Sequence, residues 1–450
     1  MPRFSISTLN KPELLAPAGS IRNMKYAFAY GADAVYAGQP RYSLRVRKNE
    51  FNHLEKLATG IKYAHSMGKK FFIASNISPH NDKVRTYIRD IEDVITMGPD
   101  ALIMSDPGLI MLVRERWPDL PIHLSVQSNA VNWATVKFWQ KMGLTRVILS
   151  RELSLNEVEE IKQKVPEMEI EVFVHGALCI AYSGRCLLSG YMTHRDSNQG
   201  ACTNSCRWKY QAHEAVENET GDIIPAHYNS AAQDSTTQAP LFLLQEKNRP
   251  GEFKPAYEDE HGTYIMNSKD LMAVQHVKRF MEIGVDSLKI EGRTKSHYYV
   301  ARTSQVYRRA INEAYAGIDF DMAMMDDLQG LANRGYTEGF YRRHLPAEYQ
   351  NYEQGNSTSR KQQFVGELVA VDMHTRQLTF DVKNRFSVKE KLTLLTPTGN
   401  SNFTLEKMTN LKGMQVEIAP GSGHKVKFSI PNLDLNEQNL AHALLVKHLS

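Results

Sequence analysis

The sequence predicts an α/β protein: a TIM-type (β/α)8 barrel followed by a small antiparallel β domain that reads as barrel-like. Three observations predict it. Short apolar runs alternate with amphipathic stretches eight times between residues 13 and 317, and repeated βα units of this length give a parallel sheet covered by helices. No G-x-G-x-x-G follows the first apolar run, which argues against an open dinucleotide-binding sheet. After residue 361 the pattern becomes strict apolar/polar alternation broken by turns, as expected of an antiparallel sheet with one buried face.

The elements follow in order. ELLAPAG (13–19) reads as a buried strand ended by Pro and Gly, then a helix runs through NMKYAFAYG and stops at Gly31. DAVYAG, KKFFIASNIS, DALIMSD, IHLSVQSNA, RVILSRE and EIEVFVHG supply strands two to seven. The helices between them are FNHLEKLATGIKYAHSMG, VRTYIRDIEDVITMG, LIMLVRERW, ATVKFWQKMG and LNEVEEIKQKV. DSLKIEG (286–292) is the eighth strand, preceded by a helix over DLMAVQHVKRFMEIG with Ser268 as its cap and Asp270 in its first turn. YYVARTSQVYRRAINEAYAG closes the ring.

The predicted domains are therefore a barrel over 1–317, carrying an insertion at 179–265 after strand seven, a helical connection and linker over 318–360, and a β domain over 361–450. The stretch 207–260 is polar and reads as a loosely packed excursion with a hairpin or two. A chain of 450 residues is too long for one core. Its N-terminus lacks the apolar centre of a signal peptide, and no run approaches the ~18 apolar residues of a membrane span; the expectation is a cytoplasmic protein with no membrane partner. A net charge of +4 permits a nucleic-acid partner without arguing for one.

In a barrel of this type chemistry sits where the strands end and the βα loops converge. That rule selects Arg41, Tyr42, Arg45 and Arg47 after strand two, Asn76 and His80 after three, and Asp106 after four. Gln127 and Asn129 follow strand five, Arg151 and Glu152 strand six, His175 ends strand seven, and Glu291 and Arg293 end strand eight. So much arginine suits an anionic substrate, because a guanidinium is a planar fork for carboxylate or phosphate. Arg and Glu at strand ends serve equally well as structural ion pairs.

All four cysteines, Cys179, Cys186, Cys202 and Cys206, lie directly after strand seven with the spacing C-x6-C-x15-C-x3-C. In a reducing compartment such a cluster points to metal or catalysis rather than disulfides. The spacing matches neither a zinc ribbon nor the bacterial ferredoxin run, and four thiolates suit zinc or an iron–sulfur cluster alike. Hydrolase motifs are poor: HEAVE at His213 lacks the second zincin histidine, and there is no G-x-S-x-G elbow. The β domain interleaves Lys383, Arg385, Lys389, Lys391, Lys407, Lys412, Lys425 and Lys427 with Phe386, Phe403 and Phe428. Such faces bind single-stranded nucleic acid, although alternation places at least two of these phenylalanines in the core.

The segment EVFVHGALCIAYSGRCLLS (171–189) resembles the signature of the collagenase-like peptidase family U32. GADAVYAGQPRYSLRVR, GPDALIMSDPGLIMLVRE, HLSVQSNAVNWATVKFW, GLTRVILSRELS, HGTYIMNSKDL, SLKIEGRTKS and RGYTEGF extend the resemblance to one bacterial branch, from about residue 11 to the C-terminus. That branch is linked to 5-hydroxylation of the wobble uridine of tRNA, forming 5-hydroxyuridine in a pathway that depends on prephenate and on iron–sulfur assembly. The resemblance implies a tRNA-modifying enzyme holding a 4Fe-4S cluster on Cys179, Cys186, Cys202 and Cys206, while the thiolate set by itself keeps zinc as the alternative. It implies tRNA and prephenate as partners; position at the strand ends, and not the resemblance, offers Arg45, Gln127, Asn129 and Arg151 for binding and His175, Glu291 and Arg293 for the chemistry. The other readings are a peptidase, as the family label says, and a non-catalytic iron–sulfur protein that presents tRNA to a separate hydroxylase.

Overall fold

The computed structural model describes residues 9–44, 49–178, 210–217, 223–225, 241–246, 253–259, 262–263, 269–331, 333, 335–342, 362–430 and 440–449. Its first seven strands are β1 (Glu13–Pro17), β2 (Ala34–Gly38), β3 (Lys70–Ser75), β4 (Ala101–Met104), β5 (Ile122–Leu124), β6 (Arg146–Ile148) and β7 (Glu169–Ala177). Helices α1 (Ile21–Ala29), α2 (Leu54–Ser66), α3 (Asn81–Thr96), α4 (Pro107–Arg116), α5 (Trp133–Lys141) and α6 (Leu155–Lys164) alternate with them. Their starts are written locally: Ser20, Asp106, Asn132 and Ser154 each accept a backbone N–H of the first turn. At α6 Ser154 and Glu157 form a reciprocal capping box, a device in which the Ser/Thr/Asp/Asn cap contributes about 1 kcal/mol.

After β7 the chain forms an antiparallel sheet from β8 (Tyr210–Glu217), β9 (Ile223–Pro225), β10 (Leu241–Glu246), β11 (Phe253–Asp259) and β12 (Gly262–Thr263), in the order β12-β11-β10-β8-β9. This is more order than a hairpin or two. It returns through β13 (Asp270–Met272), α7 (Val277–Ile283), β14 (Ser287–Ile290), α8 (His297–Tyr315), α9 (Ala323–Gln329) and β15 (Tyr336–Thr337). Parallel pairing runs from β14 through β1 to β7, and β7 pairs back to β14, so eight strands close a barrel.

The helix expected from residue 270 is a correction. Asp270–Met272 is instead a strand, antiparallel to the end of β7 and parallel to β15, and the α-helix begins at Val277. At nine residues β7 outruns its barrel neighbours, and the backbone of its last three residues needs a partner. Ala273 N–H donates to the Val174 carbonyl and Asp270 N–H to that of Gly335, so the ladder takes the donors a helix would have used. The proposed cap Ser268 lies outside the described residues.

The C-terminal domain comprises β16 (Gln362–Asp372), β17 (Gln377–Val382), β18 (Phe386–Ser387), β19 (Lys391–Thr396), β20 (Gly399–Thr404), β21 (Met408–Asn410), β22 (Gln415–Val416), β23 (Ile418–Ala419), β24 (Lys425–Phe428) and β25 (Leu444–His448). All its pairings are antiparallel, and β25 sits in the middle of the main sheet, between β19 and β16. Sequence alternation missed β25, because Leu444, Leu445 and Val446 are all buried and show no polar face. Phe386 and Phe428 are in this core, while Arg385, Lys389, Lys391, Lys407, Lys412 and Lys425 are exposed.

The two domains share one packed boundary. Leu395, Leu444 and Val446 belong to the same apolar cluster as the barrel, and Tyr298 stacks on Phe364. Tyr30 donates to the carbonyls of Leu395 and His442, and Arg22 and Tyr26 both bind Glu367. No helix of the described residues is long and apolar enough to cross a membrane.

Candidate active site at the barrel mouth

The interior of the barrel is ionic where branched aliphatic layers are usual. Arg146 on β6 donates to Glu13 on β1 at 2.6 Å and to Glu171 on β7 at 3.1 Å. Since β1 and β6 are separated by β7 and β14, that contact spans the barrel interior. Lys289 on β14 donates to the other oxygen of Glu171 at 2.7 Å, and Arg146, Glu171 and Lys289 are almost fully buried. Burial pushes the Glu171 carboxyl up, but Lys289 and Arg146 outweigh it and hold the group below its ordinary range. The Arg146–Glu171 pair is therefore charged, while burial lowers the Lys289 ammonium from its ordinary value against the pull of Glu171; the ladder leads upward towards the mouth.

Two aromatic rings form the next layer. Lys289 Nζ lies 4.5 Å from the Tyr36 ring centre and 5.4 Å from that of Phe173. Each ring also meets a guanidinium: Arg293 at 5.5 Å from Tyr36, and Arg151 at 3.8 Å from Phe173. Desolvated cation–π contacts of this kind contribute about 2 kcal/mol and fix the plane of the guanidinium. Tyr36 does a second task, because its hydroxyl donates to Glu291 Oε2 at 3.0 Å. One tyrosine thus orients both a carboxylate and an arginine.

Neighbouring backbone makes room for them. A Cβ on Gly38 would lie 2.6 Å from Ser43 Oγ and 2.9 Å from Arg293 Nη1, the two atoms that hydrogen-bond each other at 2.8 Å. Gly176, at φ +106°, would bring a Cβ within 2.4 Å of the Glu291 carbonyl. Around the rest of the rim strands β4, β5 and β6 are followed by buried Ser105, Ser125 and, one residue further on, Ser150. Asn76 donates to Ser125 Oγ at 3.2 Å.

The structure brings together Arg151, Glu291 and Arg293 at the mouth. Arg151 also donates to the Ala177 carbonyl, and its Nε and the Gln127 Oε1 are buried without a partner among the described residues. Gln127 lies on a short 3-10 turn capped by Ser125, with Asn129 left-handed at its end. Asp106 is taken up as the cap of α4, and Arg41 as an ion pair with Asp90. Arg45, Arg47 and the four cysteines lie outside the described residues. Among the described residues no three His, Cys, Asp or Glu side chains form a metal site.

His175 lies elsewhere. It is 1 % exposed and packed among Tyr299 and Tyr307 of α8 and Tyr336 of β15, with tyrosine hydroxyls 3.4 Å from each ring nitrogen. Burial first, and Lys295 second, push its pKa down from 6.5 to about 3, so the ring is neutral at ordinary pH. The unfolded chain then binds the proton more readily, and stability falls as the pH drops from 6.5 towards 3. At pH 4.5 this amounts to roughly 3 kcal/mol, two pH units at about 1.36 kcal/mol each. His175→Phe is expected to lose less stability between pH 7 and 4.5 than the natural chain in urea titrations; equal losses would mean His175 does not set the acid response.

Sequence reasoning missed Tyr36, Phe173, Glu171 and Lys289. A signal was present, since EIEVFV and SLKIEG alternate charged and apolar residues. In strands whose outer face is covered by helices, such alternation turns the charges inward.

Residues 19–351 match the model of peptidase family U32, and residues 360–442 match that of the peptidase family U32 C-terminal domain. The chain is 61 % identical over 448 residues to tRNA hydroxylation protein P of Escherichia coli strain K12, covering 98 % of this chain and 97 % of that one. It is 58 % identical to tRNA hydroxylation protein P of Haemophilus influenzae, covering 99 % and 98 %. A more distant relative, at 29 % identity over 77 % of this chain and 44 % of the other, is the 23S rRNA 5-hydroxycytidine C2501 synthase of Escherichia coli.

Proposed function

The chain belongs to peptidase family U32, and on that premise we propose that it is a cytosolic enzyme that hydroxylates tRNA, forming 5-hydroxyuridine at the wobble position in a prephenate-dependent reaction. The observation that carries the reading is the Tyr36 side chain, which holds the Glu291 carboxylate by its hydroxyl and the Arg293 guanidinium on its ring. Replacing C5–H of uracil by C5–OH is a two-electron oxidation for which co-reactants supply the oxygen atom and take up the two electrons, and it releases the proton at C5, which is the part this chain's own residues handle. Glu291 is the acceptor for it in this reading, buried enough to act and oriented by Tyr36. Arg293 and Arg151 bind the carboxylates of prephenate, each guanidinium fixed by an aromatic ring.

The cysteines that follow β7 are the proposed ligands of a 4Fe-4S cluster. Four thiolates within 28 residues, two positions after the last residue of β7, support that assignment. A cluster supplies electron-transfer or Lewis-acid chemistry when bound. His175 is a positioning residue here, locking β7 to α8 and β15. Its enclosure by three tyrosines speaks against its serving as the base of a thiolate–imidazole peptidase pair.

Nucleoside mass spectrometry of tRNA tests the proposal. A deletion strain is expected to lack 5-hydroxyuridine and its derivatives, and the natural gene is expected to restore them. Restoration requires an intact prephenate supply and all four cysteines, and the anaerobically purified protein is expected to contain iron and acid-labile sulfide. Unchanged nucleosides in the deletion strain would end the proposal.

A further inference from the structure

A second recess lies on the packed boundary between the barrel and the C-terminal domain. Its volume is about 240 Å³, below the ~300–1,000 Å³ of ordinary small-molecule pockets, so it suits a single ring with its immediate substituents. One wall is the stacked pair Tyr298 and Phe364, with centres 5.2 Å apart and planes 8° apart. Lys295, Leu331, Gln362 and Asn384 are among the residues that line the remainder. Within this lining Tyr298 is 8 % exposed, and its hydroxyl is buried without a partner among the described residues. A buried hydroxyl left so is costly unless something supplies the hydrogen bond.

The recess is joined to the mouth by one turn. Lys295 N–H donates to the Gly292 carbonyl at 2.9 Å, so the residues between Glu291 and Ser296 carry the proton acceptor and Arg293 at one end and the recess wall at the other. Tyr299, which also lines the recess, donates its hydroxyl to the Glu291 carbonyl at 2.8 Å. From the other domain, Asn384 is fixed by its amide on the Phe364 carbonyl at 2.7 Å and is flanked in sequence by Lys383 and Arg385.

We infer that this recess binds an unpaired base of the RNA substrate, a nucleotide flanking the one held at the mouth. The inference rests on the tRNA reading above and adds to it a second subsite. Aromatic walls stack on any base, amides and a hydroxyl reach its edge, and the exposed Arg385 side chain beside the recess meets a backbone phosphate, Lys383 being ion-paired with Asp381. A small dianion is a poorer fit, because among the described residues of the lining Lys295 alone is cationic.

The test uses the full-length, anaerobically purified protein and an unmodified tRNA transcript. Tyr298→Phe removes only the hydroxyl and is expected to weaken transcript binding five- to tenfold. Asn384→Trp places an indole across the recess from an exposed position and is expected to weaken binding at least tenfold, raising KM for tRNA while kcat stays within twofold. With 4-thiouridine in the anticodon loop, photocrosslinks are expected on the peptides carrying Tyr298 or Phe364. Unchanged affinity in both variants, with crosslinks only elsewhere, overturns the subsite and leaves the hydroxylation reading standing if the natural protein still forms 5-hydroxyuridine. Failure of the natural protein to bind the transcript overturns both.

Discussion

Arg293→Ala is expected to lower 5-hydroxyuridine formation by about two to three orders of magnitude, the usual cost of removing one oriented donor from a reacting centre. Arg293→Lys is expected to recover little of it. An ammonium offers neither the planar fork nor the face that lies over the Tyr36 ring. The measurement is 5-hydroxyuridine per tRNA in a complemented deletion strain, alongside thermal melting to show that the fold is retained. Activity of Arg293→Ala within threefold of the natural chain would remove Arg293 from the site.

The second large effect is on stability. Glu171→Ala leaves Arg146 and Lys289 facing each other in the barrel interior without their shared carboxylate, and breaking such a buried pair costs about 3–5 kcal/mol. Urea unfolding measures it. Replacing Glu171 and Lys289 together by methionine is expected to recover much of the loss, because no unpaired charge then remains between them. The pH dependence has a definite sign. With its folded pKa held below the ordinary value, Glu171 contributes stability that is present above the unfolded carboxylate range near 4.5 and is lost as the pH falls through the folded value. A Glu171→Ala chain as stable as the natural one would mean that the ladder contributes nothing net.

Much of the molecule was legible because the signals are local. The capping residues Ser20, Asp106, Asn132 and Ser154 bond their own first turns. The strand and helix periods of the barrel are set by which face of each element is covered. The misread segment at Asp270 shows the limit of this. Its residues suit a helix start, but β7 has an unpaired edge there, and the edge belongs to residues nearly a hundred positions earlier.

The site was legible only as a set of strand ends. Placing Arg151, Glu291 and Arg293 at the mouth needed only the strand count, whereas their orientation depends on Phe173 and Tyr36. By itself the sequence determined an α/β barrel, an antiparallel C-terminal domain, and one window holding every cysteine. Tertiary structure alone decided that His175 is walled in by tyrosines, that the barrel interior is ionic, and that a recess opens onto the turn beside Glu291. The physical reason is distance along the chain. Tyr36 and Glu291 are 255 positions apart, and no periodicity within either strand encodes which distant side chain closure of the barrel will bring to it.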